Sequence, residues 1–404
     1  MLAVWPAFFY NCTISVMENI TGKTLVTTDW HLGLKNNSKS RLAIVVKVVK
    51  QLIAHIKTND VRTLIFAGDL FHCRTSIDVN VINVAYKLLL ALSKHCKLYM
   101  ICGNHDSYLK NTIDINSLNM FKSMDNVVIV DEPMQVSING NCTLLVPWLG
   151  DLSKYDNETF DMMFGHFDVS HDYIVKSYVE EHSSAKLSDS LSDALSASVG
   201  CTNSTVGDLA GSFVDKVKKN GTVFSGHIHG RKEFMSKGRK FVLIGDPYQQ
   251  NMGEREYSCG FYTIDSLNNY KFFQIVNVPR HIDLKMSKIV NDIDNFDFSV
   301  VKGNIVHKTY DVEVSVADDA KISQKINDWQ PYEELLPDYD VKMSLNSVLS
   351  SQNHTFEVLK KSKMEYVRNY IKNIDDKVID EYRIDREKLF NLINDHYCKV
   401  AEDK

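Results

Sequence analysis

Five short fragments of this chain carry the residue types that hold divalent metal ions. They are Asp29-Trp-His31, Gly68-Asp69-Leu-Phe-His72, Gly103-Asn104-His105-Asp106, Gly165-His166 and Gly226-His227-Ile-His229. Together they contain six of the fourteen histidines. Carboxylate, imidazole and amide oxygen suit Mn²⁺, Fe²⁺ or Zn²⁺, and the shortage of sulfur disfavours a thiolate site. Two such ions about 3.5–4 Å apart need a bridging carboxylate and activate a water as nucleophile at neutral pH. Singly, each fragment has a plainer reading: Gly-Asp is usually a turn, and a lone His is usually a satisfied core or surface group. The repetition of the pattern decides against that reading.

Each fragment follows an apolar run, which places it at the end of a buried strand. Leu25 to Thr28, Thr63 to Ala67 and Leu98 to Cys102 read as strands. Lys39 to Ile56 and Asn80 to His95 have helical apolar spacing between them. This β-α-β-α-β order predicts a parallel sheet that delivers Asp29, His31, Asp69, Asn104 and His105 to one edge, where open α/β sheets place their ligand crevice. Short strands are expected at Val127–Val130, Met134–Ile138 and Thr143–Pro147, the last two joined by an Asn139-Gly140 hairpin turn. Met162 to Phe164 and Val223 to Ser225 lead into the fourth and fifth fragments, and Phe241–Ile244 and Gly260–Asp265 read as antiparallel strands closing a second sheet. Beyond Val278 the ligand-rich fragments stop. Ile305–Val316 is strand-like, Ala320–Trp329 helical and Asp338–Ser344 a strand, a pattern for a small α+β unit. Phe356–Ile374 and Asp385–Val400 are helical.

At 404 residues, 44% hydrophobic and 24% charged, the composition is that of an ordinary soluble globular protein. A formal net charge of −5 excludes a global basic field, so any nucleic acid must be met by local basic patches or through metal ions. Eight scattered cysteines without a Cys-x-x-Cys pair predict reduced thiols in a cytosol-like compartment. The apolar run Leu2–Tyr10 lacks a basic region before it and is too short to span a membrane, so residues 1–16 read as an extension with Met17 the natural start.

The five fragments in this order resemble the calcineurin-like metallophosphoesterase superfamily. Gly68-Asp-Leu-Phe-His72, Val146-Pro-Trp148, Gly165-His166 and Gly245-Asp-Pro-Tyr-Gln249 followed by Gly260-Phe261 resemble its DNA-repair nuclease branch, which includes bacterial SbcD and the recombination endonuclease subunit of tailed phages. The resemblance implies an α/β protein: a metallophosphoesterase β-sandwich flanked by helices, with a small α+β capping domain and C-terminal helices. On that basis residues 1–20 are an extension, 21–277 the nuclease domain with a Ser-rich insertion at 183–205, 278–345 the DNA-capping domain, and 346–404 a segment for an ATPase subunit. It further implies two divalent ions, most often Mn²⁺, with Mg²⁺, Fe²⁺ or Zn²⁺ as alternatives. One ion would be held by Asp29, His31 and His229, the other by Asn104, His166 and His227, with Asp69 bridging. His105 would be the catalytic histidine, oriented by Asp106, and His72 would lie near the scissile phosphate.

Candidate DNA contacts are Lys35, Lys39, Arg41, Arg231, Lys232 and Arg280. The implied partners are DNA, an SbcC-type coiled-coil ATPase and a second copy of the chain in a homodimer, with no membrane. Two alternatives remain: a phosphatase or cyclic-nucleotide phosphodiesterase on the same centre, and an inactive scaffold subunit. The sequence departs from the branch in the length of its Ser-rich stretch and in Asp246, where a small or amide residue is commoner.

Overall fold

The computed structural model describes residues 17–169, 213–334 and position 387. The chain divides into two compact units, Met1–Leu336 and Pro337–Lys404, and the first contains every described residue except position 387. Of the sequence expectations, residues 1–16 of the extension, the Ser-rich stretch, the strand at 338–344 and, apart from position 387, the C-terminal helices lie outside the described residues. The extension expected over 1–20 is corrected at its end, because Glu18–Ile20 pairs as a strand with Val136–Ile138.

Two stacked sheets form the body of the first unit. In one, β2 (Lys23–Thr27), β3 (Val61–Phe66), β4 (Lys97–Ile101) and β5 (Val127–Val130) run parallel. Helices α1 (Lys39–Asn59) and α2 (Val79–Ser93) link the first three. Both helices start on side-chain caps, with Ser38 accepting from Arg41 N and Asp78 from Asn80 N. Alternation along β2 sends Leu25 into the layer of α1 and α2 and Val26 into the space between the sheets. That interior is filled from both sides: Ile65, Tyr99 and Ile101 of one sheet meet Leu145, Phe164, Phe224 and Val242 of the other. A β-sandwich with helices on its outer face is therefore the fold, as the resemblance implied.

The second sheet has the order β1 (Glu18–Ile20), β6 (Met134–Ile138), β7 (Asn141–Val146), β8 (Phe160–Gly165), β9 (Val217–Ser225), β11 (Arg239–Leu243) and β10 (Lys232–Ser236). The β6–β7 hairpin turns at Asn139 (φ 50°) and Gly140 (φ 82°), the left-handed pair that a two-residue hairpin loop requires. Strands β7, β8, β9 and β11 are parallel. The pairing of the last strands corrects the sequence expectation. Phe241–Ile244 does lie in the second sheet and pairs antiparallel with β10, though parallel with β9, while β12 (Gly260–Ser266) belongs to the first sheet, antiparallel to β2, and is followed by the edge strand β13 (Asn269–Gln274). Apolar alternation sets which face of a strand is buried; it does not say which sheet accepts it.

A third, small parallel sheet comprises β14 (His281–Lys285), β15 (Ile305–Thr309) and β16 (Glu333–Glu334). With α3 (Val316–Asp328) it surrounds its own core of Leu284, Met286, Phe298, Val306, Ile322 and Ile326. The strand-like run ends at Thr309 rather than Val316, because Ser315 caps α3 by accepting from Asp318 N. This small α+β element meets the helix layer of the first sheet through Arg41 and His281 and through the Tyr332 hydroxyl, which donates to Ser40 O.

Candidate metal centre

The five fragments leave the carboxyl ends of β2, β3, β4, β8 and β9, and the stacking of the two sheets brings those ends together. The chain there adopts conformations that side chains rarely take. Asp29, His31, Asp69 and His227 have φ of 53°, 43°, 60° and 76°. Left-handed backbone at a non-glycine residue costs on the order of 1–3 kcal/mol and persists only where its surroundings enforce it. Here the enforcement is visible. Asp29 N donates to Gly68 O at 2.9 Å, Gln250 Nε2 to Asp29 O at 2.8 Å, and Tyr248 Oη to Trp30 O at 2.9 Å. Gly68, at φ 102°, has no room for a side chain, since a Cβ there would lie 2.4 Å from His166 Nδ1.

On one side of the centre, His31 Nε2 lies 3.7 Å from Asp29 Oδ1 and 3.6 Å from Asp69 Oδ2. Asp29, His31 and His229 offer ligand atoms close enough for one ion. Both His31 ring nitrogens and Asp29 Oδ1 are buried without a hydrogen-bond partner. On the other side, Asn104 Oδ1 faces His166 Nε2 at 2.8 Å and His227 Nδ1 at 3.2 Å, and Asp69 Oδ2 is 3.3 Å from His166 Nε2. Asp69 thus stands between the two groups. Lone pairs that converge without a donor are what a cation needs, so the donor set fits two divalent ions. An inverted Asn104 amide also satisfies these atoms, donating to both rings and to Asp69 while its oxygen accepts from Arg74 Nη2 at 2.8 Å. We place the oxygen toward the rings, because the neighbouring group's orphaned atoms show the same shortage of donors.

The electrostatics follow from burial and proximity. Burial opposes charge on Asp69, but the imidazoles of His166, His31 and His105 more than offset it and hold the carboxyl below the usual range. Burial likewise opposes charge on His166, which Asp69 and Asp29 nonetheless raise to about 9. His229, against Asp246 and Glu254, is raised despite burial to about 11. Burial and the charge of His166 push His227 down to about 4.

His105 and His72 stack beside the centre, with ring centroids 5.7 Å apart. Both lie below the ordinary histidine range, chiefly through burial. The role expected of Asp106 needs correction. Its carboxylate is occupied by the backbone N–H groups of Asp69, Leu70, Phe71 and Gly103 at 2.9–3.2 Å, so it fixes the loop after β3 instead of the His105 ring. His105 Nδ1 faces the carbonyl of His72 at 2.6 Å, and that contact orients the ring.

A cleft of about 660 Å³ opens over His31, Asp69, His72, His105, His227 and His229. Lys35 lines it as well, on the left-handed turn Lys35–Asn37. Lys39, Arg231, Lys232 and Arg280 are exposed but lie outside the cleft lining. Arg41 is corrected: it is 1% exposed, packed inside the helix layer against His281, and cannot meet a ligand in solvent. Three residues escaped the sequence reading. Arg74 lies beside the outer end of the Asn104 amide, with Nη1 buried and without a hydrogen-bond partner; its position two residues past His72 was the available signal. Glu254 approaches His229 from a loop that carries no recognisable motif, and Asp168 approaches His227 from two residues past His166, which was its signal.

Carboxylates, imidazoles and an amide gathered at the ends of parallel strands from both layers of a sandwich define a metal-dependent hydrolase. The chain belongs to the calcineurin-like phosphoesterases, whose family model matches residues 22–231. Exonuclease subunit 1 of Enterobacteria phage T4 is 25% identical over 389 residues, covering 94% of this chain and all of the phage protein. The SbcD subunit of the Escherichia coli K12 nuclease SbcCD is 34% identical over 92 residues, 21% of each chain. Its Bacillus subtilis counterpart is 26% identical over 161 residues, 36% of this chain and 40% of the relative. The chain thus falls with the SbcD-type nuclease branch. Among the described residues, no helix is long and apolar enough to cross a membrane.

Proposed function

We propose that this chain is the nuclease subunit of a DNA-processing complex, hydrolysing phosphodiester bonds with two divalent ions, Mn²⁺ foremost, as a homodimer working with an SbcC-type ATPase. The observation that carries the chemistry is the gathering of Asp29, His31, Asp69, Asn104, His166, His227 and His229 under one open cleft. The near full-length relationship to a phage exonuclease subunit favours DNA as the substrate. When bound, the ions supply Lewis-acid neutralisation of phosphate charge and activate the attacking water.

The chain's own residues contribute the remainder. His105 stands in the cleft with Nδ1 turned to the His72 carbonyl, so Nδ1 carries the ring hydrogen and Nε2 is presented to the substrate. An incoming phosphate places negative charge beside that ring and raises its proton affinity. Protonated Nε2 then hydrogen-bonds the reacting phosphate or hands its proton to the leaving oxygen. Lys35 in the cleft lining is placed to hold a flanking phosphate, and the charge of Arg74 is felt at His105.

The test offers purified protein with Mn²⁺ linear DNA and, separately, a generic phosphomonoester. DNA should be cleaved, and His105→Ala should lower the rate by about 10²–10⁴-fold while Mn²⁺ binding persists. Turnover of the phosphomonoester alone would replace this reading with a phosphatase. Inactivity of the Mn²⁺-loaded protein, with and without the ATPase, would identify a scaffold subunit.

A further inference from the structure

Two buried acids close on a single imidazole at one side of the centre. Asp246 Oδ2 lies 3.0 Å and Glu254 Oε1 2.9 Å from His229 Nδ1. Asp246 is 1% and Glu254 4% exposed. They come from separate pieces of backbone, Asp246 just past β11 and Glu254 from the short turn Met252–Glu254. Glu254 is anchored by Gln250 N at 2.6 Å and Asn251 Nδ2 at 2.5 Å. Asp246 is anchored through its backbone, donating to His229 O and accepting from Gly260 N. Its two side-chain oxygens have no hydrogen-bond partner of good geometry. A carboxylate buried in that condition is costly unless positive charge lies close by.

Among the described residues, no such pair of acids stands behind the histidines of the other side. His166 Nδ1 faces a neutral carbonyl, Ala67 O, at 2.8 Å. Among the described residues, His227 Nε2 has the half-buried Asp168, at 3.8 Å. Asp29 and Asp69 lie within reach of His166 as well as of His31, so among the described residues the difference between the two sides is the pair of acids behind His229.

We propose that Asp246 and Glu254 are positioning residues that make the two metal positions unequal. Glu254 accepts the Nδ1 hydrogen of His229 and Asp246 sets its charge beside that nitrogen, so together they fix the ring and leave Nε2 as the stronger donor. The Asp29–His31–His229 position is then the tight one, and the Asn104–His166–His227 position binds its ion weakly and exchanges it. This inference rests on the binuclear reading above.

Equilibrium dialysis of the full chain against Mn²⁺ alone tests it. The wild type should bind two ions in separable steps. Asp246→Asn or Glu254→Gln should weaken the tight step by about 10–100-fold and leave the weak step in place. In a His229→Ala background, Asp246→Asn should add no further loss, since its effect passes through that ring. Circular dichroism without metal verifies that each variant is folded. Two equal steps in the wild type would overturn the inference without recourse to any variant. So would variants that weaken both steps alike, or losses that add in the His229→Ala background. A wild type that binds no Mn²⁺ would bring down the binuclear reading itself, an outcome distinct from two equal steps.

Discussion

Residues at this centre divide into those that offer donor atoms and those that hold the donors in place. Asp106 shows the second role most fully, because one carboxylate accepts from four backbone N–H groups that have nowhere else to turn. Asp106→Ala should destabilise the metal-free protein by about 3–5 kcal/mol, the cost of leaving several buried donors unmet. Asp106→Asn keeps an acceptor oxygen and should lose less. Urea denaturation checks both, and a neutral Asp106→Ala would mean that water replaces the carboxylate. This role was illegible in the sequence. Asp106 follows His105 directly, so adjacency suggested a partnership, whereas the side chain turns back beneath the loop after β3. Asp29, His31, Asp69, His166, His227 and His229 were legible as a set for the opposite reason: each closely follows an apolar run whose end fixes its place.

Among the elements, the parallel strands and the two long helices of the first sheet could be read from apolar spacing because each buries one regular face or stripe. Strands β10, β13 and β14 were missed: they are short, and charged or polar residues fill half of each or more. The contact between α1 and β14 also lay hidden, since it joins Arg41 to His281 across 240 positions. There His281 Nε2 faces Arg41 Nη1 at 3.3 Å and Nδ1 faces His307 Nε2 at 2.7 Å. Burial, with the charges of Arg41 and His307, pushes His281 down to about 3. The unfolded chain accepts a proton near pH 6.5 that the folded chain refuses, so this stability is complete above about 6.5 and is lost as the pH falls toward 3. Urea midpoints from pH 7 to 4.5 should therefore fall less steeply in His281→Gln than in the wild type. Parallel slopes would show that the ring does not titrate on unfolding.

For the molecule as a whole, the parallel first sheet was recoverable from the order of strands and helices and the sandwich from the family resemblance, while the exchange of β12 into the first sheet was not. That exchange has a structural use: the chain leaves β11 in one layer, passes beside the cleft through Asp246 to Glu254, and enters β12 in the other. The loop that orients His229 and supports the Asp29 turn is thus also a connection between layers. The separation of the donors along the chain adds a constraint in time. Asp29 and His229 are 200 positions apart, and no stretch shorter than residues 29–229 contains every candidate ligand. Contacts of such long range form late, after loop closure has been overcome. During refolding from urea, far-UV ellipticity should recover first and Mn²⁺ uptake last, with both followed in the same stopped-flow series. Metal uptake that leads the ellipticity would show ions nucleating the fold. With the expected order, a nascent chain emerging amino terminus first has no complete centre until the fifth ligand-bearing strand end is made, and it stays without a hydrolytic site until both layers have closed.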